Sequence, residues 1–157
     1  MAKRLTYWIP AICVAALIST FSTHYFSSEE TSKILTPILH WVFPAASFHT
    51  LSRMHTAIRK LAHVTEFGVL SIAVFHGVRG ECHGWRWKWA LITLIVAVSY
   101  AGLDEWHQSI VPMREARVRD VLIDSTGALL AQAFVWCYAK LHRNSVQSPE
   151  LKKSVPW

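Results

Sequence analysis

Apolar and polar positions alternate along this chain in long blocks, not in the short repeats of a soluble fold. Residues 90–103 read Ala-Leu-Ile-Thr-Leu-Ile-Val-Ala-Val-Ser-Tyr-Ala-Gly-Leu, and residues 127–139 are again apolar. Between them lies the most polar stretch near either block, Asp104 to Asp124. About 20 mainly apolar residues span a bilayer. On that measure the pattern predicts four spans, at 5–26, 58–78, 88–107 and 119–141. The first reaches span length only if its Thr and Ser residues are counted. It has a basic start in Lys3 and Arg4 and a short apolar core, which also suits a cleaved signal peptide. No small-x-small cleavage site follows, so we read it as a retained anchor.

Residues 27–57 are mixed. Ile34, Leu35, Ile38, Leu39 and Val42 recur at helical spacing, Pro44 breaks the run, and Phe48, Leu51, Met54 and Ile58 begin another. This is too polar to span but suits an amphipathic segment lying in the interface plane. His49 and His55 fall here and read as surface histidines. The tail 142–157 is polar and basic and is expected to be poorly ordered. The whole is expected to be one all-α domain, 1–157. It is a polytopic bundle of about four transmembrane helices, with an interfacial segment between the first and second and a core at 58–135.

Composition agrees. Of 157 residues, 52% are hydrophobic and 17% charged, against about 45–50% and about 25% in soluble domains. Eight Trp and four Tyr suit a chain with aromatic rings at headgroup level. Trp85, Trp87 and Trp89 alternate with Arg86 and Lys88 in such a belt. The net charge of +6 comes from Lys and Arg flanking apolar runs. That favours anionic lipid over nucleic acid as the partner. Three cysteines, none in a CxxC pair, point to free thiols. With both termini in the cytoplasm, the inner side holds nine Lys and Arg against seven outside, the direction the positive-inside rule requires.

This topology makes a geometric claim. The second span starts at the outer face, the third ends there and the fourth starts there. Lys60, His63 and Glu66 step by three along one helix. Asp104 with His107 and Gln108 occupies the end of the next. Asp120, Asp124 and Gly127 form a stripe on the last, where residues three and four apart are neighbours. Asp120 suits a helix N-terminus, and Gly127 with Ala131 is a small-xxx-small pair for close helix approach. Ionisable groups at this depth are costly and are a functional-site hypothesis by default.

The motifs resemble those of the VanZ-like family of small bacterial membrane proteins, named for a teicoplanin-resistance accessory protein. They are the Lys-x-x-His-x-x-Glu start at Lys60, His63 and Glu66, and the Asp-Glu-x-x-Gln-x-x-x-Pro-x-Arg string at Asp104, Glu105, Gln108, Pro112 and Arg114. The Asp120, Asp124, Gly127 spacing completes the set. Met113 and Asp124 depart from the family pattern, where Gly and Asn are frequent, and Asp124 adds a negative charge. The resemblance implies a cell-envelope role in the cytoplasmic membrane without fixing a reaction.

Two readings follow. In the first, Lys60, His63, Glu105, Gln108, Arg114, Arg117, Asp120 and Asp124 bind a membrane lipid, a lipid-linked envelope precursor or a lipoglycopeptide, and the protein is an accessory factor. In the second it is an enzyme. Glu66, Asp104 and His107 then supply acid and base, while Lys60, Arg114 and Arg117 clamp an anionic headgroup. A divalent ion on Asp104, Glu105, Asp120 or Asp124 is a variant; no metal ligand or cofactor is assigned. A proton relay, or a polar network that only ties helices together, completes the alternatives. Lys60 is expected to neutralise Glu66 or an acid on the third span.

Overall fold

Pro44 and the glycines at 80 and 84 punctuate the chain where its apolar blocks end, and helices fill the intervals. The computed structural model describes residues 5–110 and 118–153, with His24 and 143–153 as backbone only. Helix α1 is Ile9–Phe21, α2 Ser28–Val42, α3 Phe48–Arg79, α4 Trp87–Ile110 and α5 Val118–Lys153, with a 3-10 turn at His24–Phe26. No strand occurs among the described residues, so the expected all-helical bundle is what is seen. Three of the helices, over Phe48–Arg79, Trp87–Ile110 and Val118–His142, are long and apolar enough to cross a membrane. The first apolar segment makes a shorter helix of 13 residues.

Local chemistry sets the ends. The Ser27 hydroxyl caps α2 by accepting from Glu30 N at 3.3 Å, and Ser47 caps α3 by accepting from Thr50 N at 3.3 Å, each satisfying a first-turn donor. Gly80 closes α3 with φ of 57°, a conformation favouring glycine. Two boundaries differ from expectation. Helix α3 starts at Phe48 and not near 58, because nothing after the Ser47 cap interrupts it. Helix α5 runs on to Lys153, past the expected end near 141, and no Gly or Pro interrupts it between Gly127 and Pro149.

Many residues packed between the helices are small or polar: Ser71, Thr93, Ala97, Ala101, Ala128 and Ala131 are buried beside a few large ones such as Phe67 and Ile18. Large apolar side chains such as Ile95, Leu103, Leu130 and Phe134 are exposed. Helices in lipid gain nothing by hiding large side chains from hydrocarbon, but gain contact by letting small ones bring backbones together.

The closest approach joins α3 and α5. A Cβ built on Gly127 would lie 2.2 Å from Val64 O, so only glycine fits there. Below it Ser71 Oγ donates to Ala128 O at 3.1 Å, and Gln132 Nε2 donates to Ser71 Oγ at 2.9 Å. Pairings that rise together in both helices make α3 and α5 parallel. Helix α1 runs opposite to α3: Trp8 covers Gly77, while Ser22 reaches Gln108 at the far end of α4. Tyr100 OH binds α1 midway, donating to Ala15 O at 2.7 Å. Phe67, Leu70, Val74, Ile18 and Ala101 form the core between them.

Candidate functional site

Two helix ends meet the middle of a third where α3 passes the start of α5 and the end of α4. The Nδ1 atom of His63 is 3.6 Å from Asp124 Oδ1 and 4.0 Å from Glu66 Oε2. Asp124 is 2% exposed, with His63 and Glu66 half-buried. Asp124 stands in the electrostatic field of Asp104, Glu105, Asp120 and Glu66, so five carboxyl groups from three helices share one neighbourhood. On α4 the (i, i+4) pair closes as its spacing implies: Gln108 Nε2 donates to Asp104 Oδ2 at 2.7 Å. The same amide reaches Ser22 Oγ on α1 at 3.3 Å. Asp104, Glu105 and Gln108 are all buried.

The depth of this cluster follows from helix rise. From His63 to Gly77, where Trp8 closes the other end, 14 residues make about 21 Å. The hydrocarbon layer is about 30 Å thick, so measured from Gly77 the charged side chains lie past the midpoint of such a layer, on the side away from Trp8. Trp106, 66% exposed, lies at the same level, where aromatic anchors belong.

Other expected residues stand differently. Asp120 is half-buried on the stripe leading to Asp124. His107 is half-buried and makes no hydrogen bond or ion pair among the described residues. Arg114, Arg117, Pro112 and Met113 lie outside the described residues. Lys60 is exposed and, among the described residues, pairs with no acid, contrary to the expected neutralisation of Glu66. The reason is angular. Steps of three on a 3.6-residue helix drift by about 60° each, which carries Lys60 about 120° from Glu66.

Arg59, seven residues before Glu66, falls within about 20° of it and is the cation in the field of Glu66 and Asp120. Its Nη1 also donates to Phe26 O at 2.9 Å and Thr31 Oγ1 at 3.0 Å. Arg59 therefore ties the site to α2, a role a stricter seven-residue reading would have found. Ser22 carries no comparable signal, since its neighbour is 86 residues away. His55 was read as a surface residue; it is buried, because α2 docks over it with Thr31 Oγ1 at 3.2 Å from its Nε2. His49 is exposed.

The arrangement offers carboxyl oxygens that accept hydrogen bonds from hydroxyl, amide or ammonium groups. An imidazole stands within reach of two of those acids. Among the described residues no group of three His, Cys, Asp or Glu side chains is placed to hold a metal ion.

No curated protein and no solved structure matches the chain. The family model described as VanZ/LLP1 matches residues 7–139, from the start of α1 to the last apolar turn of α5 and across every helix that builds the site. With that match and three bilayer-length apolar helices, the chain is an integral membrane protein belonging to the VanZ/LLP1 family.

Proposed function

We propose that the protein is a cell-envelope accessory factor of the cytoplasmic membrane, with the polar cluster facing outward and both termini inside. In this reading the cluster holds an anionic envelope lipid or a glycopeptide and so affects susceptibility to drugs such as teicoplanin. The observation that carries the reading is the convergence of His63 and Glu66, Asp104 and Gln108, and Asp120 and Asp124 where the apolar helices α4 and α5 end and begin. So many charged groups in so costly a place exceed what helix association needs. Polar contacts between membrane helices average only about 0.6 kcal/mol. The acids suit the hydroxyl and amide hydrogens of a sugar or peptide, while Lys60, Arg114 and Arg117 are the candidates to balance phosphate.

The test is an antibiotic susceptibility panel with and without the gene, joined to mass spectrometry of lipids that co-purify in mild detergent. A resistance change lost in Glu66→Gln and Asp124→Asn, with protein still in the membrane fraction, supports the reading. Variants that keep the change overturn it.

The 3.6 Å and 4.0 Å contacts of His63 favour one alternative. An imidazole between two carboxyl groups is suited to proton transfer, and the protein would then be an enzyme acting on a lipid-linked envelope substrate. Turnover of the co-purifying lipid by wild type but not by His63→Ala separates the two.

A further inference from the structure

At the end of the bundle away from the carboxyl cluster, the α3–α4 turn and α5 line an open cavity of about 620 Å³. Among the described residues its wall carries Arg79, Arg86 and Lys140 and no Asp or Glu, so three positive charges line one space. Trp85 and Trp136 supply aromatic walls. The guanidinium of Arg86 lies 5.0 Å from the ring of Trp89, and Lys140 Nζ 5.1 Å from that of Trp136. These ring contacts hold the cations in place yet leave their N–H groups free to donate.

A second observation is independent of charge. Arg79 Nε and Trp85 Nε1 are buried, and neither has a hydrogen-bond acceptor among the described residues. Buried donors without acceptors are rare and call for an explanation. Both residues line the cationic cavity, and the described chain gives neither atom an acceptor.

We propose that this cavity is a binding site for the phosphate headgroup of an anionic phospholipid. Arg79 Nε and Trp85 Nε1 donate to the phosphate oxygens, and Arg86 and Lys140 neutralise its charge. A free phosphate would need nothing more, but the surroundings fit a lipid. The cavity lies at the end of the apolar spans, and Leu130, Phe134 and Leu141 are exposed on α5. They fall within about 40° of one another around the helix, a continuous apolar lane for an acyl chain beside the cavity. The site shares no residue with the carboxyl cluster, and its assignment does not rest on the function proposed there.

The full chain, purified in detergent, is titrated with phosphatidylglycerol, phosphatidylcholine or inorganic phosphate and read by native mass spectrometry. Wild type is expected to retain phosphatidylglycerol about tenfold better than phosphatidylcholine, because both carry the phosphate but the choline cation is repelled by Arg79, Arg86 and Lys140. Arg86→Gln with Lys140→Gln is expected to abolish that preference. Trp85→Phe keeps the ring and removes only the donor, so it is expected to weaken retention of both lipids by about tenfold. Equal retention of the two lipids by wild type, or undiminished retention of both in Trp85→Phe, overturns the proposal. Displacement of the lipid by millimolar inorganic phosphate overturns the lipid as occupant. Retention lost in Asp124→Asn, and undiminished in Trp85→Phe, would move the lipid to the carboxyl cluster and also overturn it.

Discussion

His63 Nδ1 and Asp124 Oδ1 face each other across the α3–α5 seam at 3.6 Å, just beyond hydrogen-bond length. The acid is almost wholly enclosed, and four more carboxyl groups act on it. A pair kept for stability alone would be placed closer and given fewer like charges.

Asp124→Asn is therefore expected to separate function from stability. The amide keeps the shape and removes one of five crowded acids. The unfolding midpoint in detergent should hold or rise, while the envelope phenotype disappears, as in sites that trade stability for activity. Circular dichroism melts and a susceptibility assay on the same variant check both halves.

Gly127→Ala should be the most damaging single methyl in the protein, because the new Cβ would meet a backbone carbonyl 2.2 Å away and neither helix can yield locally. A loss of about 1–3 kcal/mol is expected from such overpacking. Gly102 is the control: a Cβ there meets nothing within 4 Å. Gly102→Ala should be neutral or stabilising by up to about 1 kcal/mol through helix propensity. Paired denaturant titrations decide it.

Ser71→Ala should cost about 0.6–1.7 kcal/mol, the range of polar contacts between membrane helices. It removes the donor to Ala128 O and the acceptor for Gln132. The same titration measures it, and no loss at all would mean the seam is held by packing alone.

Arg59→Ala should loosen α2 without expelling the chain from the membrane. Both bonds from Nη1, to Phe26 O and Thr31 Oγ1, vanish together. Hydrogen bonds to charged groups are worth about 1.5–3 kcal/mol, so amide exchange across Ser28–Val42 should accelerate by about tenfold or more. Exchange in α5 should stay as it was.

Much of this was legible beforehand. The apolar blocks located α4 and the span of α5, because lipid imposes length and composition together. Motif spacing placed Asp104 on Gln108 and put Asp124 and Gly127 on the inward stripe. What escaped depends on angle or on distant partners. Lys60 looked like the partner of Glu66, but turn-by-turn drift gives that place to Arg59. Ser22 and His55 owe their burial to helices distant in sequence, and no local pattern announces such docking. For Arg114 and Arg117, the sequence still stands alone.

The brevity of α1 affects the lipid around it. Thirteen residues cover about 20 Å, roughly 10 Å less than the hydrocarbon of an ordinary bilayer. A helix of that length set across a bilayer draws the adjacent lipid inward to meet its ends, at a modest energy for each ångström of mismatch. One of those ends is Ser22, hydrogen-bonded to Gln108 and, through it, to Asp104. Such thinning would lower headgroups toward the buried acids from the side, and reconstitution in lipids with shorter acyl chains is expected to stabilise the protein.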